Sequence, residues 1–212
     1  MNTLMPKFIT ASMLGITLFA QNAEAGVLID NFTDFQAAED DVAGPMTISG
    51  TNLSNVKRTL TATPSLGGST EIVVEDGLLN ISNNTDSAGT ASIYYSFNTI
   101  DLSAFANSFE LTSVFNDTIN HGVTLIANDS STFAFQNLSG IGDHYFNFSQ
   151  FSDPSVFTNL TSLEMKFQGD VAWDAQFSLM TVPEPSITAL LTIGLVGIAS
   201  ISRRKIALVK SC

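Results

Sequence analysis

Glu71-Ile72-Val73-Val74-Glu75-Asp76-Gly77-Leu78-Leu79-Asn80-Ile81-Ser82 is the stretch that decides the fold class. Both arms are rich in β-branched and aliphatic residues. The Asp-Gly pair between them suits the two positive-φ positions of a tight hairpin turn. A two-residue turn has no room for a crossover, so the arms pair antiparallel. The same grammar continues in both directions: short apolar runs broken by clusters of Asn, Asp, Gly and Ser. Val27 to Ile29, Met46 to Gly50 and Val56 to Ala62 precede the hairpin. Ala91 to Phe97, Ser108 to Phe115, Gly122 to Ala127, Thr132 to Gln136, Tyr145 to Phe151, Leu163 to Phe167 and Trp173 to Met180 follow it. Period-two alternation is clearest in Tyr145 to Phe151 and in Trp173, Ala175, Phe177, Leu179. Only Phe35 to Asp40 hints at a helical turn. About eleven strands without a βαβ rhythm predict an all-β protein, a single jelly-roll-like β-sandwich. Sixteen phenylalanines against one tryptophan and three tyrosines suit a two-sheet core filled with rings.

The predicted sandwich spans 26–181 and is flanked by two segments of different character. Met1 to Ala25 has the form of a secretory signal peptide. Lys7 provides the positive n-region, Phe8 to Ala20 the apolar stretch, and Ala23-Glu24-Ala25 an A-x-A cleavage site before Gly26. At the other end, Pro183-Glu184-Pro185 is a stiff tripeptide, because each proline fixes φ and lacks an N–H. An uncharged run, Ile187 to Ile201, comes next, and then Arg203-Arg204-Lys205. As a helix the run reaches about 22 Å, a short transmembrane span. The basic cluster would hold its far end on the cytoplasmic side, with 206–212 as a short cytoplasmic tail.

The order of those parts, Val182-Pro183-Glu184-Pro185-Ser186, apolar run, Arg203-Arg204-Lys205, resembles the PEP-CTERM sorting signal of bacterial surface and exopolysaccharide-associated proteins. The resemblance covers 182–205. It implies export, a transient membrane anchor and processing near the tripeptide by an exosortase-type membrane enzyme, after signal peptidase has removed the leader. The final location would be the cell surface or the extracellular space. A looser resemblance runs through Phe148 to Phe151, Leu160 to Phe167, Gly169-Asp170 and Trp173 to Phe177. This pattern is similar to the last strands of galactose-binding-like jelly rolls.

Charge narrows the partners. The whole chain carries −12, and between Gly26 and Val182 only Lys57, Arg58 and Lys166 stand against eighteen acids. Such a surface repels nucleic acid, whose phosphates need clustered Lys and Arg. The sole cysteine, Cys212, lies beyond the sorting signal, which excludes a disulfide scaffold or a thiol enzyme between the flanking segments.

Catalytic signatures are absent from the sequence. There is no G-x-S-x-G elbow, P-loop or H-x-x-x-H spacing, and His121 and His144 both sit beside glycine turns as solvated loop residues would. Calcium is the one metal the composition suits, through hard oxygen ligands on the first and last strands, Asp30 and Asp174. For a sugar ligand the candidates are Trp173 with Asp170, and one of Tyr94 and Tyr95, since adjacent strand residues point to opposite faces. Trp173 also shares parity with the core side of its strand. The expectation is a non-enzymatic structural or binding protein of the envelope or exopolysaccharide. The alternatives are a lectin-like, calcium-stabilised carbohydrate-binding module, with polysaccharide as partner, and a secreted hydrolase.

Overall fold

A computed structural model describes residues 26–182, apart from Leu66, Phe105, Ile119 and Ser139. Its elements are β1 (Val27–Asp30), β2 (Gln36–Glu39), β3 (Val42–Thr47), β4 (Lys57–Thr63), β5 (Thr70–Glu75), β6 (Leu78–Asn83), β7 (Thr90–Ile100), β8 (Ser108–Asn116), β9 (Gly122–Ala127), β10 (Ser131–Asn137), β11 (Gly142–Asn147), β12 (Leu160–Gln168) and β13 (Asp174–Val182). Two short 3-10 turns, Phe148–Gln150 and Pro154–Thr158, lie between β11 and β12. The strands form two sheets. One runs β11-β8-β13-β6-β5-β2 with β1 also on β13, and the other runs β10-β9-β12-β7-β4-β3.

Alternation explains the layering. On β4, Arg58, Leu60 and Ala62 are buried while Thr59 and Thr61 are half-buried; on β7 the buried set is Ala91, Ile93, Tyr95 and Phe97. Each strand turns one parity inward, and the two inner faces meet in one core. The rings of Phe109, Phe133, Phe146, Phe148, Phe151 and Phe157 form an edge-to-face cluster at one end. Phe148 and Phe157 stack there with centroids 3.9 Å apart. The hairpin β5–β6 pairs Glu75 with Leu78 across a turn in which Asp76 and Gly77 have φ of 50° and 84°.

The strands number thirteen among the described residues, against about eleven read from the sequence. Gln36–Glu39, inside the expected helical turn, is the edge strand β2. Its residues pair with Glu71 to Val74, and Gln36 and Ala38 turn inward. Pairing and burial override the helical propensity of Gln-Ala-Ala-Glu. The predicted strand Tyr145 to Phe151 also shortens. It pairs with β8 only to Asn147, after which the 3-10 turn brings Phe148 and Phe151 into the core.

A buried polar network joins the two sheets. The Asp30 carboxylate accepts from Arg58 Nη1 at 2.8 Å, Tyr95 O–H at 2.9 Å and the Phe32 N–H at 2.8 Å. Arg58 Nε donates to Gln36 Oε1 at 2.9 Å, and Nη2 donates to the Asp34 carbonyl. Arg58 is 0% exposed and Asp30 1%. Burial raises the Tyr95 hydroxyl well above the ordinary tyrosine range, and the Asp30 charge adds to it. At the edge of the same sheet, β1 pairs antiparallel with β13, Val27 opposite Val182, so the two ends of the sandwich leave it side by side.

Candidate functional site

The outer face of the six-stranded sheet carries rows of polar side chains beside a groove. Thr59 and Thr61 stand on β4, Ser92, Tyr94 and Ser96 on β7, Glu164, Lys166 and Gln168 on β12, and Thr124 and Ile126 on β9. Register lines them into rows. Thr61, Ser92, Lys166 and Thr124 lie opposite one another across four strands, and so do Thr59, Tyr94, Glu164 and Ile126. A groove of about 490 Å³ crosses this face. Its lining includes Thr61, Thr63, Ser92, Thr124, Glu164, Lys166 and Gln168, with Phe135 at the side of the outermost strand. Lys166 Nζ lies 3.3 Å from Glu164 Oε2.

Phe135 reaches the groove through a bulge. In a regular strand it would share the inward side of Phe133. Here β10 has one more residue than β9 between the pairs Phe133–Leu125 and Gln136–Val123. The extra residue brings Phe135 to the level of Thr124 and turns it outward, leaving its ring 52% exposed. Gly122 makes the space for it. A Cβ at Gly122 would lie 2.5 Å from Phe135 Cζ and 2.2 Å from the Gln136 carbonyl oxygen. The ring therefore rests where the first residue of β9 has no side chain. An aromatic ring beside rows of hydroxyls, an amide, a carboxylate and an ammonium can stack on an apolar ligand face and hydrogen-bond its edge.

The residues singled out from the sequence are scattered by comparison. Tyr94 is half-buried on the grooved face, whereas Tyr95 is in the core on Asp30. Trp173 is 0% exposed; its Nε1 donates to Asn116 Oδ1 at 3.2 Å and its ring stacks on His121 with centroids 5.5 Å apart. A ring enclosed in this way offers no face to a sugar. Asp170 is exposed in the turn between β12 and β13. Asp30 and Asp174 do not form a joint calcium site. Asp30 lies opposite Met180, at the other end of β13 from Asp174, and its carboxylate already holds a guanidinium. His121, read as a solvated turn residue, is fully buried, and burial holds its pKa below the ordinary histidine value of 6.5.

Sequence reading missed the grooved face itself. Its signal was the hydroxyl parity: Thr59, Thr61 and Thr63 on one strand, Ser92, Tyr94 and Ser96 on its neighbour. Ala23, Ala25, Pro183, Glu184, Pro185, Arg203, Arg204 and Lys205 lie outside the described residues, as does the expected apolar helix Ile187 to Ile201; Gly26 is the first described residue. No helix among the described residues is long and apolar enough to cross a membrane.

No curated protein matches the sequence. Among solved structures the chain is similar to PfGH50B, with 10% identity, a TM-score of 0.44 and coverage of 76% of this chain but only 24% of that one. It is also similar to the family 11 carbohydrate-binding module of the cellulosomal cellulase Lic26A-Cel5E of Clostridium thermocellum, with 14% identity, TM-score 0.36 and coverage of 75% and 95%. A third is the low-affinity xylan-binding module CBM86 from Roseburia intestinalis, with 12% identity, TM-score 0.36 and coverage of 71% and 96%. Likeness this distant says nothing about a ligand. Along the sequence, residues 181–205 match the PEP-CTERM protein-sorting motif, a signal that implies an exported protein held for a time at the membrane.

Proposed function

We propose that this protein is an exported, non-catalytic polysaccharide-binding component of the bacterial envelope or exopolysaccharide, and that it binds a glycan chain along the grooved face of the six-stranded sheet. The observation that carries this reading is Phe135. A bulge turns a phenylalanine out of the core, over a glycine, beside rows of Thr, Ser, Gln, Glu and Lys. Exposing a large ring costs hydrophobic stabilisation, about 1.5–3 kcal/mol for a side chain that could have been buried. A ligand that covers the ring recovers it. Processing completes the reading: signal peptidase cuts before Gly26, and an exosortase-type enzyme acts near Pro183-Glu184-Pro185.

The test is a glycan array on the fragment Gly26–Val182, followed by calorimetric titration of any hit. Phe135→Ala is expected to weaken binding at least tenfold with an unchanged melting temperature. Phe115→Ala, an exposed ring on the other sheet, is expected to leave it alone. Equal affinity in both variants would move the ligand off this face. A blank array from a folded fragment would favour a structural role in the matrix.

A further inference from the structure

A second cavity, of about 300 Å³, opens at the end of the sandwich where β8 begins and β11 stops. Phe148, Phe157, Pro154 and Ala106 give it apolar walls, and the exposed residues Asn107 and Asn147 stand at its rim. The Phe148 N–H donates to the Asn107 carbonyl at 2.8 Å, which ties the exit of β11 to the entry of β8. This cavity is separate from the groove. The groove lies toward Gln168, at the other end of β12 from the 3-10 turn that carries Pro154 and Phe157.

The same end is where the described chain finishes. β13 lies beside β8, with Met180 opposite Leu111 and Thr181 opposite Glu110. Carried on at that register, positions 183 and 184 come level with Ser108 and Asn107, and Asn107 lines the cavity. Strands lie about 4.8 Å apart and an extended residue spans about 3.3 Å, so the three residues after Val182 reach across the end of β8 to the cavity. Those three are Pro183-Glu184-Pro185. Their chemistry suits the cavity. Proline-rich segments dock in aromatic-lined grooves because their extended form is set beforehand and costs little entropy to bind. Proline brings a carbonyl acceptor and no N–H, and a rim of two side-chain amides supplies donors. We propose that the folded sandwich docks its own sorting tripeptide in this cavity, with the prolines against Phe148, Phe157 and Pro154. Only a folded domain then presents the tripeptide in one fixed, extended form. The docking does not depend on glycan binding at the grooved face.

The test is disulfide trapping in the full chain in detergent, with Cys212→Ser removing the native thiol. Ser186→Cys, just past the tripeptide, is paired either with Ser149→Cys on the cavity wall or with Asn52→Cys. Asn52 is an exposed position at the same end, and its backbone N–H donates to the carbonyl of Leu28, which lies opposite Thr181. Under mild oxidation the Ser149 pair is expected to close about tenfold faster than the Asn52 pair, the advantage of a held segment over a loose one. Pro183→Ala together with Pro185→Ala changes only residues beyond the sandwich and is expected to bring the two rates together. Equal rates in the chain with both prolines, or a preference that survives their loss, would overturn the proposal and leave the cavity to an occupant from outside the chain.

Discussion

Removing the Asp30 carboxylate would leave the Arg58 guanidinium in the core with no counter-charge. An unpaired buried charge costs far more than the pair it came from contributes. Asp30→Ala is therefore expected to lose about 3–5 kcal/mol in urea unfolding. The double variant Asp30→Leu, Arg58→Met should regain most of that loss; if it is as unstable as the single variant, desolvation of the guanidinium is not the dominant effect. His121 gives a pH prediction. Its folded pKa is depressed from 6.5, so as pH falls through that value the unfolded chain takes up a proton that the folded one resists. Stability should be flat above about pH 7.5 and decline from about pH 6.5 downward. Comparison with His121→Gln in pH-dependent thermal melts isolates this contribution from that of the many carboxylates. Neither residue was legible in advance: Arg58 read as one of three surface bases, and His121 as a turn residue. Burial of a polar side chain depends on partners distant in sequence, here Asp30 and Trp173.

At the scale of elements, β9 and β10 position the groove together. Gly122→Ala would bring a methyl group within 2.2 Å of the Gln136 carbonyl oxygen, so the two strands would have to part. The expected outcome is a lower melting temperature together with weakened glycan binding. Unaltered binding would mean that Phe135 is held by something other than this gap. The hairpin offers a cleaner local test. Gly77 has φ of 84°, and alanine there should cost about 1–2 kcal/mol in unfolding free energy. This hairpin was readable to the residue because its turn chemistry is local. Hydroxyl parity on β4 and β7 was readable too. The bulge in β10 was not, since an extra residue in one strand is defined only against the strand beside it. Nor was β2, whose strand state comes from pairing with β5.

For the molecule as a whole, the two outer faces differ in charge. The seven-stranded sheet presents Glu39, Glu71, Glu75, Glu110, Asp143 and Asp174. Desolvation, with the Asp143 charge beside it, raises the Glu110 pKa. Both lysines of the described residues, Lys57 and Lys166, stand on the grooved face. Neither anionic vesicles nor duplex DNA should retain the fragment Gly26–Val182 at about 0.15 M salt, and co-sedimentation checks this. The two-sheet architecture followed from strand count and turn spacing, because alternation is a property of each strand alone. The order of strands within the sheets needed contacts between distant segments.

The pairing of β1 with β13 has a consequence in time. The strand that leaves the export channel first has its partner in the strand that leaves last, and β13 also joins β8 to β6. Until Val182 is outside, the larger sheet is two fragments and its opening strand has no neighbour. On the proposed route of export and processing, closure of the sandwich would coincide with arrival of the sorting motif at the membrane, so that the protein would finish folding only at the place where it is to be cut.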